Sequence, residues 1–149
     1  MLDNHIKIKN RKAFYEYFLF EKFVAGIQLM GTEIKSIRHG KASLVDSYCN
    51  FKEDELFVFN MHIAEYKYGT HYNHEPKRER KLLLTKRELK RLSTKVKEKG
   101  FAIIPTFLFI NEKGLAKLEI AVAKGKKLYD KRESLKTKDT KRDLERREF

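Results

Sequence analysis

Three histidines, His62, His71 and His74, and a single cysteine, Cys49, are the residues whose types first invite metal or nucleophilic chemistry. His71 and His74 stand three apart with Glu75 next, but no second cysteine and no clear carboxylate partner completes a ligand set. Hydrogen bonding within a loop is the expectation for them. A thiol nucleophile needs a paired base, which nothing in the chain identifies, so Cys49 reads as a lone buried thiol. Asp46, Asp54 and Glu119 are scattered, without the pairing that two-metal nuclease chemistry requires. The expectation is a protein with no catalytic residue, no metal and no cofactor.

The remaining chemistry is electrostatic. Lys and Arg number 34 against 21 Asp and Glu, a net charge of +13 over 149 residues. The cations fall into three groups: Arg78-Glu79-Arg80-Lys81, a stretch holding Lys86, Arg87, Lys90, Arg91, Lys95, Lys97 and Lys99, and the last 26 residues with eleven basic against six acidic. Any one group reads as a solvated face. Three of them, in a chain with eleven Phe and seven Tyr, point to RNA, where Lys and Arg meet phosphates and exposed rings stack on bases. Tyr66, Tyr68, Tyr72 and Tyr129 are the candidate stackers, whereas Phe107 and Phe109 are expected in the core. No stretch of about 18 apolar residues spans a bilayer, and the first residues lack a signal-peptide core, so the expectation is a cytoplasmic protein with no membrane partner.

The elements that must carry these groups follow from periodicity. Residues 14–29 read as two strands joined near Glu21 and Lys22. Residues 31–40 read as a short helix with Thr32 as N-cap, Ile34 and Ile37 inward and Gly40 as the stop. Tyr48-Cys49-Asn50-Phe51 and Leu56-Phe57-Val58-Phe59 flank a polar turn and form a hairpin candidate. Residues 66–80 lack a sustained period and read as a long loop, the kind of segment that often carries function. Thr85 and Glu88 form a capping box ahead of Leu89, Leu92 and Val96, predicting a helix up to Gly100. Residues 101–110 and 115–123 predict a final strand pair around a turn at Asn111 to Gly114.

About six strands with two or three flanking helices and no βαβ rhythm predict a mainly β fold, an antiparallel barrel of the oligonucleotide-binding type. Residues 1–123 form the RNA-binding domain, and 124–149 a basic tail. The tail has too little apolar surface to order alone, and is expected to be flexible when free and helical on a polyanion. A helix of roughly 24 residues would reach about 36 Å.

Seven segments then appear in one order: Asn10-Arg11-Lys12-Ala13, residues 31–38, Asp46-Ser47-Tyr48, residues 60–64, Asn73-His74-Glu75-Pro76, Arg80-Lys81-Leu82-Leu83-Leu84, and Gly125 through Arg132. Together they closely resemble the SsrA-binding protein (small protein B, SmpB) family over nearly the whole chain. The resemblance implies a factor, monomeric when free, that binds the tRNA-like part of transfer-messenger RNA (tmRNA) and delivers it to stalled ribosomes for trans-translation. It implies that the tail enters the empty decoding centre and message channel. Carried over by position, the RNA-facing residues are Asn10, Lys35, Arg38, Lys41, His62, Asn73, His74, Arg78, Arg80 and Lys81. The decoding-site set is Lys126, Lys127, Tyr129, Asp130, Lys131 and Arg132. Glu33, Asp46 and Ser47 either join the first set or brace the backbone.

Two positions depart from the family pattern. Val24 stands where many members carry Glu, and Tyr129 where others carry His. Tyr keeps a ring for stacking but loses a titratable cation, which predicts stacking as the operative role. The alternative reading is a basic structural ribosomal or general RNA-binding protein. A nuclease is the third.

Overall fold

The computed structural model describes residues 6–69, 73–98 and 100–126. Its elements run β1 (Lys7–Lys9), α1 (Arg11–Glu16), β2 (Tyr17–Ile27), α2 (Gly31–Arg38), β3 (Ala42–Ser43), β4 (Tyr48–Lys52), β5 (Glu55–Phe59), β6 (His62–Ile63), β7 (Arg80–Leu83), α3 (Lys86–Val96), β8 (Phe101–Ile110) and β9 (Ala116–Gly125). Strand order β8-β4-β5-β7-β2-β9 closes on itself through β8–β9 pairing, and β1 adds to the outside of β8. Every ladder is antiparallel. Closure leaves no open edge in the ring, which suits a small sheet. The expected class, a barrel with flanking helices, is what forms.

Alternation fills the barrel. Leu56 and Val58 of β5 point in with Cys49 of β4, Leu82 of β7, Ile103 of β8, and Leu118 and Ile120 of β9. The β4–β5 hairpin turns through Glu53 and Asp54, both at positive φ, the conformation a tight antiparallel turn demands. Helix α3 begins at the Thr85–Glu88 capping box and lays Leu89, Leu92 and Val96 on the barrel. Its basic residues stay outside. Cys49 is a free thiol in the core, and burial pushes its pKa far up, leaving it inert as a nucleophile.

Several local expectations give way. Residues 14–29 are not two strands: Phe14, Tyr15 and Glu16 complete helix α1, and β2 is one continuous strand with a bulge between Leu19 and Lys22. Asn10 explains the switch, because its side chain caps α1 by accepting from the Ala13 N–H at 3.3 Å. Helix α2 starts two residues earlier than the Thr32 cap implies. Its cap is Met30, whose N–H donates to the Glu33 carboxylate at 2.7 Å, leaving the Thr32 hydroxyl free for a tertiary partner. Ile37 is buried but Ile34 only partly. Phe107 and Phe109 are half-buried on the outer face instead of in the core, because β8 alternates Leu108 and Ile110 inward. The short segments β1, β3 and β6, too brief to show periodicity, raise the strand number above six.

Candidate nucleic-acid interface

The site is organised by one buried carboxylate. Glu33 on α2 is wholly buried and receives two guanidiniums from the end of the long loop. Arg80 Nε donates to Glu33 Oε2 at 2.5 Å and Arg78 Nη2 to Glu33 Oε1 at 2.7 Å. Arg80, also fully buried, spends its other donors on the carbonyls of Met61 at 2.5 Å and Pro76 at 3.1 Å. Burial pushes the Glu33 carboxyl toward neutrality. Hydrogen bonds from Arg78, the Met30 N–H and Arg80 outweigh it and hold its pKa below the ordinary glutamate value. Burial also lowers the Arg80 pKa, with the Glu33 hydrogen bond and charge opposing. Two cations share one anion, so the bracket keeps a positive excess, and it sits on Arg78, whose side chain remains 35% exposed.

The loop between β6 and β7 is stapled by its own polar groups. Asn73 accepts from the N–H groups of Tyr66 and His74, both at 3.1 Å, and returns Nδ2 to the Tyr66 carbonyl at 2.9 Å. Gly69 lies under this staple, where an added Cβ would stand 2.4 Å from Asn73 Nδ2. Buried His74 ties the loop to the body. Its Nδ1 pairs with the Thr32 hydroxyl at 2.9 Å and its Nε2 with the Ile63 carbonyl at 2.8 Å. With both ring nitrogens engaged, His74 is a brace and not a metal ligand. Among the described residues no cluster of three ligating side chains gathers, and His71 lies outside them.

What this framework presents outward is aromatic and basic. His39, at the end of α2, stacks on Tyr66 with ring centroids 6.2 Å apart and planes 20° from parallel. Tyr66 meets Tyr68 edge to face at 5.7 Å, and Tyr68 is 72% exposed. Lys35 Nζ stands 5.5 Å from the Tyr66 ring and Lys67 Nζ 5.6 Å from Tyr68. Lys41 is exposed, and His62 is half-buried in β6. Lys81 is tied to Glu55 at 3.6 Å. Arg38 donates from Nη2 to the Gly114 carbonyl at 3.2 Å, while its buried Nε has no partner among the described residues.

The structure therefore divides the residues that the motifs grouped together. Lys35, Arg38, Lys41, His62, Arg78 and Lys81 keep some accessible side chain. Asn10, His74 and Arg80 are turned inward, so the expectation that they face RNA is corrected to bracing. Asn10 Nδ2, for instance, is committed to the Pro105 carbonyl at 2.8 Å. Asn73 is spent on its own loop. Glu33 braces as well, and so does Ser47, whose hydroxyl donates to the Leu44 carbonyl at 2.6 Å. Asp46 sits at positive φ and pairs with Lys12 at 2.8 Å. His39 was missed by motif reading. The signal was present, because Lys35 and His39 are four apart and share one helical face. Of the tail set only Lys126 is described, its Nζ 5.3 Å from the Phe18 ring. Tyr72, Lys127, Tyr129, Asp130, Lys131 and Arg132 lie outside the described residues.

Comparison with known proteins gives concordant matches. The family model for the SmpB protein matches residues 7–148. A relative from Phocaeicola vulgatus, named SsrA-binding protein, is 62% identical across 95% of this chain and 94% of its own length. One from Christiangramia forsetii with the same name is 56% identical across 97% and 92%. The more distant Moorella thermoacetica protein, again so named, keeps 48% identity across 92% and 88%. A solved structure described as "tmRNA-SmpB: a journey to the center of the bacterial ribosome" superposes with a TM-score of 0.70 at 43% identity, covering 83% of this chain and 86% of that one.

Proposed function

The chain belongs to the SmpB family, and from that premise we propose that it binds tmRNA through its tRNA-like part and delivers it to stalled bacterial ribosomes. It acts by binding and positioning instead of catalysis, in the cytoplasm where ribosomes work. The observation that carries the reading is the near full-length identity to relatives named for SsrA binding, which extends through the tail. The geometry agrees with it. Lys35 stands beside the His39–Tyr66–Tyr68 row, a cation for phosphate next to rings for unstacked bases, and Arg38, Lys41, His62, Arg78 and Lys81 add accessible basic side chains elsewhere on the body. Asn73, His74 and Arg80 contribute by holding that surface in shape, and Asn10 by fixing α1 against β8.

The proposal also divides the chain by task. The barrel, which β9 carries past the expected boundary at 123 to Gly125, grips the RNA, and the residues after it enter the decoding centre and message channel, where rRNA phosphates supply the counter-charge for helix formation. Lys126, Lys127, Tyr129, Asp130, Lys131 and Arg132 stand at the decoding end. Strand β9 runs on to Gly125 and the Lys126 N–H donates to the Glu16 carbonyl at 2.9 Å, so the barrel fixes where the tail departs.

Deleting residues after Gly125 is expected to leave tRNA-like RNA binding largely intact and to abolish peptide tagging in a reconstituted translation system. Loss of RNA affinity to background would misplace the binding surface. Tyr129→Phe and Tyr129→His are expected to support tagging and Tyr129→Ala to fail, whereas equal activity of all three sinks the stacking role. Sequencing the RNA that co-purifies from the host tests the reading at its root. One small RNA with a tRNA-like end supports it, and rRNA alone supports a structural ribosomal protein.

A further inference from the structure

A second group of cations and rings lies on the outer face shared by β1, α1, β8 and the middle of β2, apart from the surface described above. Lys7 Nζ stands 4.4 Å from the centroid of Phe107. Lys9 Nζ and Lys22 Nζ stand 4.6 Å and 5.9 Å from the centroid of Phe14. The two rings meet edge to face with centroids 5.7 Å apart. All three lysines are exposed and both rings half-buried. Three successive elements near the N-terminus thus meet the distant strand β8 at one spot.

The charge there is not balanced. Among the described residues, no carboxylate lies within ion-pairing distance of Lys7, Lys9 or Lys22, although Lys12, Lys52, Lys81, Arg91 and Lys95 each have one. Cation–π contacts hold the ammonium groups near the rings but neutralise nothing, and the three like charges repel. An anion would relieve that repulsion. Next to Phe107 the face continues as a shallow groove that Lys7 shares with Val24, Phe109 and two carboxylates, Glu112 at its end and Glu119. Glu119 is the cross-strand neighbour of both Val24 and Phe107. Its carboxylate is fixed by the buried Thr106 hydroxyl, which donates to Oε2 at 2.5 Å. From strand to strand the face runs from Lys7 and Lys9 on β1, through Phe107 on β8, to Glu119 on β9, with Lys22 on β2 beyond it: ammonium groups on both flanks of an apolar ring surface and a positioned acceptor.

That order matches the parts of a nucleotide. We propose that this face binds a single-stranded RNA segment, with its phosphates on Lys7, Lys9 and Lys22 and one base on the Phe107 ring. The flexible Lys7 stem leaves the ring for a phosphate as the base takes its place, and an exocyclic amino group of the base donates to Glu119. A duplex offers no free base face, which is why the occupant is single-stranded. The inference rests on the reading that the partner of this protein is RNA, and it adds a second place where that RNA is held. The five residues at its centre are not among those carried by the family motifs.

The test uses the full chain and a fluorescent single-stranded RNA of about ten nucleotides, within the span one small barrel covers, carrying 2-aminopurine. Anisotropy is read between about 50 and 200 mM salt, with a tRNA-like RNA and a duplex of the same sequence as parallel probes. Wild type should bind the single strand with quenching of 2-aminopurine, and bind the duplex at least several-fold more weakly. Combined Lys7→Gln, Lys9→Gln and Lys22→Gln should flatten the log–log salt slope by about 2, at roughly 0.7 per phosphate on a single strand. Phe107→Leu, which keeps apolar bulk, should weaken binding by about 5- to 100-fold without changing the slope and should abolish quenching. Unchanged slope and affinity in these variants overturn the proposal, as does equal duplex binding or wild type that binds the tRNA-like RNA alone. Failure of wild type to bind any of the RNAs sinks the functional reading itself.

Discussion

Around Glu33, two guanidiniums share one buried carboxylate, while around Phe14 and Phe107 three ammonium groups share none. Both regions carry an excess of positive charge, yet that charge does different work. In the first it is desolvated and consumed by hydrogen bonds that join α2, the β6–β7 loop and β7. In the second it stays in water, and only rings keep it in place. Counting basic residues therefore overstates the RNA-facing surface of a protein like this one. What distinguishes a contact from a brace is whether the protein has already supplied the counter-charge.

Mutation of the bracket should give the largest effect. Glu33→Ala strands two guanidiniums in or near the interior, and removing one partner of a buried ion pair typically costs about 3–5 kcal/mol. Chemical denaturation should show that loss, and a change below about 1 kcal/mol would mean Arg80 finds water or another acceptor. His74→Phe should come next, at about 1–3 kcal/mol, because it leaves the Ile63 carbonyl without its partner. The bracket should also titrate. Because the folded Glu33 pKa is depressed, its contribution is present above the unfolded value of about 4.3 and is lost as pH falls through the lower folded value. In that window the unfolded state binds more protons, so stability rises with pH, and Glu33→Gln should flatten that part of the profile. The smallest effect is expected from Lys7→Gln, Lys9→Gln and Lys22→Gln, each within about 0.5 kcal/mol in stability. A large loss of stability there would make the lysines structural and erase the contrast.

Much of the fold could be read in advance because its signals are local. The Thr85 capping box, the β4–β5 hairpin and the β8–β9 pair each announce themselves within about twenty residues, by period or by turn chemistry. Residues 14–29 were misread for a related reason. Their aromatic content is a strand signal throughout, and it takes the tertiary bond from Asn10 to Pro105 to fix the cap that makes α1 a helix. The placement of Phe107 was hidden because an alternating strand has two faces, and sequence alone does not say which one a barrel encloses.

By itself the sequence determined the strong positive charge, the antiparallel barrel class and the family resemblance, because composition, period and motif order are properties of the chain. Only the tertiary structure decided which of the cations meet solvent. Arg80 and Arg78 are two apart on the chain, yet one is buried and the other is 35% exposed, since burial depends on what α2 and the loop bring against each of them. The convergence of Lys7, Lys9, Lys22, Phe14 and Phe107 is of the same kind. Pairing of β1 with β8 brings Phe107 against the four that lie within residues 7–22, and no local pattern encodes that meeting.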